Sequence, residues 1–257
     1  MPNPTIRYGH LGADYLITTV AHLAQRIEER FPDRGLTKVA QHLVTVAKET
    51  EKTAARIRRG APLYKPFTLL LTVSALLASA WGAFLLQQDK SMSLEIRTVT
   101  DFLTIIETAV SIVVFVGAAI LFLMSIDNKR RRSLTIRKVH ELRCIAHVVD
   151  MHQLHKDPDR IDRKGANTKS SPMLEMSAFE LGRYLDYCSE LLALTGKIGA
   201  LYVQGYEDPV AVSAVDQLES LTTGLSRKIW QKIMILDRLE WERSSARSAS
   251  APPIPLS

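Results

Sequence analysis

Two long apolar runs constrain this chain more than any other feature. Residues 67–86 read FTLLLTVSALLASAWGAFLL, twenty residues without a charge. Residues 102–126 read FLTIIETAVSIVVFVGAAILFLMSI, twenty-five residues with Glu107 as the one charge. A helix that crosses a bilayer needs ~20 mostly apolar residues at a rise of ~1.5 Å each, and both runs meet that length. Core helices of soluble proteins normally keep a polar stripe; neither run has one. A secretory signal is a short apolar core at the N-terminus. Here 66 residues precede the first run, so it reads as an anchor.

The distribution of charge gives the orientation. The net charge of +6 by itself suggests an anionic partner. The basic residues, however, cluster at the ends of the apolar runs: Arg56, Arg58, Arg59 and Lys65 before the first, and Lys129, Arg130, Arg131 and Arg132 after the second. The connecting loop, 87–101, holds only Lys90 and Arg97 against Asp89, Glu95 and Asp101. Excess Lys and Arg marks cytoplasmic flanks, so both termini are expected in the cytoplasm and the loop outside, with the chain a multi-pass protein of the cell inner membrane. The flanking cations sit where anionic lipid headgroups would be, at about 1 kcal/mol each. Residues 144–257 carry 13 Lys+Arg against 15 Asp+Glu, which argues against a nucleic-acid partner. Cys144 and Cys188 both fall on the reducing side and are expected as free thiols.

No convincing strand pattern occurs. The expected fold is all-α: a two-span transmembrane hairpin with a cytoplasmic helical bundle built from both flanking regions. The domains are 1–66, N-terminal cytoplasmic helices; 67–126, the hairpin, with spans 67–86 and 102–126 and the outer loop 87–101; 127–243, a C-terminal cytoplasmic helical domain; and 244–257, a Ser-, Ala- and Pro-rich tail expected to be disordered. In the first region, Leu16, Val20, Leu23, Ile27 and Phe31 recur at steps of three and four and predict a helix over about 13–30, ended by Pro32. Leu36, Val39, Ala40, Leu43, Val44 and Ala47 form the inward face of a second helix. After the basic run a helix is expected over about 134–156. Ser171-Pro172 suits the start of the next, along a seam of Leu174, Ala178, Leu181, Leu185, Cys188, Leu192, Thr195 and Gly199. Asp208-Pro209 starts the last, with Ala211, Val215, Leu218, Thr222, Leu225, Ile229, Ile233 and Leu236 as its seam.

Within the spans, Ser74, Ala78 and Gly82 recur at steps of four, a spacing of small residues that lets membrane helices approach closely. With Glu107 they are the candidate interface between spans or between copies. An intramembrane carboxylate is costly and is a functional candidate for that reason; the alternative is that the hydrocarbon begins at Thr108. Two spans cannot enclose a pathway alone, so a homo-oligomer is expected for any channel or transporter reading.

Residues 139–155, VHELRCIAHVVDMHQLH, hold four of the seven histidines and one of the two cysteines. At 100° per residue, His140, Cys144, His147, Met151 and His155 fall within an arc of ~80°, opposite Leu142, Ile145, Ala146 and Val149. His140, Cys144, His147 and His155 are therefore candidate ligands for Zn or Cu, incomplete without a ligand from another helix or subunit. The same pattern suits a packing face, a subunit contact or a proton-sensing surface. TGKIG at 195–199 lacks the first glycine of a phosphate loop (Leu191 stands there) and the hydroxyl residue after the lysine (Ile198). No enzyme signature and no cofactor motif is present, and no catalysis is expected.

The order of a basic helix, a span, a short outer loop, a span and a basic helix resembles the bacterial two-span SLATT-type membrane proteins, which accompany antiphage nucleotide-signalling systems. The residues involved are IRRGAPLYKPF before the first span and SIDNKRRRSLTIRKVHELR after the second, within roughly residues 40–145. The likeness is one of layout, so it carries over no functional residue. It implies a membrane effector that opens pores when a partner senses infection. The expectation is thus an oligomeric inner-membrane protein whose cytoplasmic bundle, through a cytoplasmic protein partner or another signal, regulates two transmembrane helices as a pore-forming or membrane-perturbing effector. The alternatives are a passive anchor or scaffold that presents a helical surface, and a metal- or proton-linked sensor or transporter.

Overall fold

The computed structural model describes residues 11–60, 99–158, 169–170 and 176–249, with isolated positions between 66 and 84. Among these the chain forms five helices and no strand: α1 (Ala13–Arg30), α2 (Gly35–Arg59), α3 (Val99–Leu154), α4 (Ala178–Val203) and α5 (Pro209–Ala249). The all-α class is as expected. The first apolar run falls mostly outside the described residues, so one helix, α3, is long and apolar enough to cross a membrane. The chain divides into two compact units, one of residues 1–58 and 134–257, the other of residues 59–133.

The first unit is a bundle, and its helices follow from local rules. α1 buries Leu16, Val20, Leu23, Ala24 and Ile27, the spacing of one helical face. It stops at Phe31, Pro32 follows, and Asp33 takes a left-handed φ of 58°. Thr37 at the start of α2 donates its hydroxyl proton to the Phe31 carbonyl at 2.7 Å, which closes the turn. The Phe31 ring meets the Tyr184 ring edge-on, with centroids 5.3 Å apart. α2 buries Leu36, Val39, Ala40, Leu43, Val46, Ala47, Thr50 and Ile57. Val46 joins the expected face as a buried residue, while the expected Val44 is partly buried and packs against the core from its edge.

The helix expected over 134–156 is the last part of α3, which begins at Val99 and runs unbroken through the basic segment. That segment, DNKRRRS, contains neither glycine nor proline, so nothing in it ends a helix. Val139, Leu142, Ile145, Ala146 and Val149 point into the bundle, as their periodicity requires.

The start of α4 differs from expectation. Ser171-Pro172 lies outside the described residues, but Met176 and Ser177 are not helical and α4 starts at Ala178. Ser177 is the N-cap: its side chain accepts from the Glu180 amide while the Glu180 carboxylate accepts from the Ser177 amide at 2.8 Å. This reciprocal pair is a capping box, which satisfies two amides that no helical carbonyl reaches. α4 is buried on more than one side, with Leu181, Tyr184, Tyr187, Cys188, Leu191, Leu192, Leu194 and Leu201 all enclosed, so it is the central helix. α5 packs along it. At Gly199 a Cβ would stand 2.6 Å from the Leu218 side chain, so the glycine permits the close approach. Asp208 caps α5 by accepting from the amides of Val210 and Ala211 at 3.1 and 3.0 Å. Every residue of the expected α5 seam, from Ala211 to Leu236, is buried. The helix then continues to Ala249, into the stretch expected to be a disordered tail.

Polar contacts between helices show that successive helices of this unit alternate in direction. At one end Thr50 on α2 meets Tyr202 on α4, with hydroxyls 2.8 Å apart, and Lys138 on α3 reaches Glu49 at 3.4 Å. Thr50 commits its single proton to the Val46 carbonyl, so Tyr202 is the donor of the pair. At the other end Lys232 of α5 donates to the Gln153 carbonyl at 2.9 Å and to its side-chain oxygen at 2.7 Å. The Gln153 carbonyl also accepts from the Lys156 amide at 3.0 Å, so the ammonium takes its second lone pair at the C-terminal end of α3, where a cation is favoured. Its half-burial lowers the lysine's affinity for its proton, against the pull of Asp157 and Asp150.

Beside it, the His152 ring packs onto Gly35, where a Cβ would run into the imidazole. Burial first, and Lys156 second, push the His152 pKa below its ordinary 6.5. The folded state therefore binds this proton less readily than the unfolded chain does. The associated stability is complete above pH 6.5 and is lost as pH falls through the lowered value. Unfolding midpoints taken from pH 7.5 downward should decline over that window, with a shallower decline in His152→Gln. An identical decline would assign the effect to other groups.

The second unit holds the apolar part of α3. At the end of α2, Gly60 adopts a φ of +61°, a backbone state that favours glycine. A Cβ there would stand 2.9 Å from Asp127 Oδ2 and 3.1 Å from Arg131 Nη1.

Candidate functional site

The first candidate surface is the apolar segment of α3. Val110, Ile112, Val113, Val114, Phe115, Leu121 and Phe122 are all exposed. At 100° per residue these positions surround the helix axis instead of lining one side. A helix that is apolar all round requires an apolar environment, and none of the most apolar part of α3 is buried within the chain. Removing each such side chain from water is worth about 1.5–3 kcal/mol. Together they are comparable to the roughly 5–15 kcal/mol that holds a typical domain folded. Soluble monomers do not normally leave such a patch bare. These observations support association with a membrane through α3.

The residues expected at the membrane divide into groups. Glu107 is exposed on α3, just before Val110. Ser74 is exposed, while Ala78, Gly82 and Lys65 lie outside the described residues. Arg56, Arg58, Arg59, Lys129 and Arg130 are exposed. Arg131 and Arg132 are partly buried. Arg131 turns along its own helix, 3.6 Å from Asp127 and 3.4 Å from Asn128, so its charge is already shared. Arg58 also packs against Gly205, where a Cβ would come within 3.2 Å of Arg58 Cδ.

The second candidate surface is the outward face of α3 within the bundle. His140, Cys144, His147, Met151 and His155 are all exposed, opposite the buried Leu142, Ala146 and Val149. Cys144 Sγ and His140 Nε2 lie 3.7 Å apart, one helical turn from each other. Among the described residues no three His, Cys, Asp or Glu side chains gather closely enough to hold a metal within one chain.

Next to this face is an apolar groove of about 430 Å³ between α2 and α3, lined by Lys38, Val39, His42, Glu141, Cys144, Ile145 and Val148. The α3 half of the groove is visible in the sequence, because Cys144 and Val148 share the exposed line. The α2 half is not, since nothing local says which helix will lie alongside. A wider cleft of about 730 Å³ between α1 and α4 is lined by Arg26, Arg30 and Arg183 with Phe179 and Tyr187. Its cations are offset by carboxylates: Arg26 pairs with Glu190 at 2.6 Å and Arg183 with Asp186 at 3.1 Å.

The two cysteines differ chemically. Cys188 is enclosed, and burial drives its thiol pKa far above the ordinary value, so it remains a protonated, unreactive thiol. Cys144 is exposed. A maleimide should label one thiol per folded chain and two after denaturation, with Cys144→Ser removing the fast site. Rapid labelling of both in the folded protein would contradict the enclosure of α4.

No family model matches this chain, and no curated protein and no solved structure matches it either. The likeness to SLATT-type proteins therefore rests on layout alone.

Proposed function

We propose that this protein is an oligomeric inner-membrane protein in which the helical bundle governs two transmembrane helices, 67–86 and 102–126, and acts as a membrane-perturbing effector. The observation that carries this reading is the continuity of α3. One unbroken helix holds both the exposed apolar segment and the Val139–Leu142–Ala146–Val149 line of the bundle core. A helix that continues from one part into the other is the physical means by which a change in one would bias the other. The exposed basic residues on either side of the apolar runs favour an anionic headgroup layer, both termini in the cytoplasm and a multi-pass topology.

The test is leakage from vesicles that contain anionic lipid. The wild-type chain should release trapped dye once the bundle is engaged by a crosslinking antibody. Ser133→Pro, which breaks α3 where the two compact units divide, should abolish the release while bundle unfolding is unchanged. A wild-type chain that inserts but releases nothing would indicate a passive anchor that presents the bundle as a scaffold.

A further inference from the structure

We propose that the outward face of α3 is half of a divalent-metal site, His140 and Cys144, and that the same pair from a second copy of this chain completes a set of two histidines and two cysteines. The geometry of the His140–Cys144 pair carries the argument. Zinc binds thiolate sulfur at ~2.3 Å and imidazole nitrogen at ~2.0–2.1 Å in tetrahedral sites, which sets the sulfur and nitrogen about 3.6 Å apart. Cys144 Sγ and His140 Nε2 stand 3.7 Å apart, within about 0.1 Å of the separation that two neighbouring ligand atoms of such a tetrahedron would have. A spacing of one turn on a single helix places both side chains on the same face, and both are exposed. The ligand types are the borderline-soft nitrogen and sulfur donors that favour zinc over magnesium or calcium.

One chain supplies only half of the coordination shell. Structural zinc sites use four protein ligands and catalytic ones three, and among the described residues no third candidate ligand gathers with these two. A two-fold pairing through this face would double the pair to a closed Cys2His2 set, since an isologous contact presents the same patch from both copies. The surroundings suit such a contact. The exposed line His140, Cys144, His147, Val148, Met151 and Leu154 contains no carboxylate, lysine or arginine. The groove beside it, lined by Val39, Ile145 and Val148 together with Cys144, continues this line as an apolar surface that a second copy would cover, and Glu141 at its side is already paired with Lys138 at 2.9 Å. This proposal does not depend on the effector reading: a metal-bridged pair is equally compatible with an anchor, and the two are tested by different experiments.

The experiment is a titration of Co2+, then Zn2+, into the full-length protein in detergent micelles under a phosphine reductant. It is read by cobalt–thiolate absorption and by native mass spectrometry. The expected result is one metal per two chains, a cobalt–thiolate band that zinc abolishes, and loss of both metal and band in His140→Ala and in Cys144→Ser. His152→Ala, on the same helix but packed on Gly35, should keep the metal. The proposal is overturned if the wild-type chain shows no thiolate band. It is equally overturned if metal is retained in both variants, or if a single chain holds the metal without a partner. Dimers that carry no metal and disappear with the reductant would assign the contact to an intermolecular disulfide, which also excludes the site.

Discussion

Leu142→Ala should destabilise the bundle by about 2–5 kcal/mol, the range for truncating a fully enclosed leucine. Leu142 is completely buried and lies over Gly199, whose added Cβ would come within 3.7 Å of the Leu142 side chain. The glycine leaves room that Leu142 and Leu218 fill from opposite helices. Alanine at 142 would open a cavity that neither α4 nor α5 can close without moving backbone. The check is chemical denaturation followed by circular dichroism, with His147→Ala as its control. His147 lies on the same helix but is exposed, and its replacement should change stability by no more than about 0.5 kcal/mol. Equal losses in the two variants would mean that the inward face of α3 has been assigned wrongly.

Val114→Arg should have a comparable effect on membrane partition. Val114 lies midway along the 102–126 run and is exposed on a helix that is apolar all round. A charged residue at the centre of a spanning helix costs about 2.5–3.5 kcal/mol on insertion scales, a shift of roughly a hundredfold in partition. Membrane flotation and alkaline extraction should show the variant largely released or mistargeted. Ile136→Arg, further along the same helix and already partly exposed in the bundle unit, should leave partition unchanged. If both arginines behave alike, the 102–126 run does not reside in hydrocarbon.

These two variants test the parts of the molecule that differ most in how readable they are from the sequence. The apolar run needs no partner to be recognised, because its length and lack of a polar stripe are properties of consecutive residues. The burial of Leu142 was also readable, since the 3.6-residue period sets it opposite His140 and Cys144. Ser171-Pro172 lies outside the described residues, and the signal that starts α4 at Ala178 is the Ser177–Glu180 capping box, a pattern readable from the residues themselves. The continuity of α3 was missed because a change from apolar to basic residues resembles a boundary, although charge alone does not end a helix.

Features that depend on neighbours along the chain were therefore legible from the residues: the all-helical class, the limits of α1, the complete inward line of α5 and the sides of α3. Each follows from side-chain periodicity and from proline or capping residues acting within one or two turns. Which of those faces meet is a matter of three-dimensional packing. That packing buried Val46 more deeply than Val44, set the His152 ring on Gly35, joined Tyr202 to Thr50, and enclosed Cys188 while leaving Cys144 beside His140 at the surface. Periodicity assigns each residue an angle around its own helix axis. It does not say which other helix occupies that direction, because that choice is made by contacts between segments far apart in the chain.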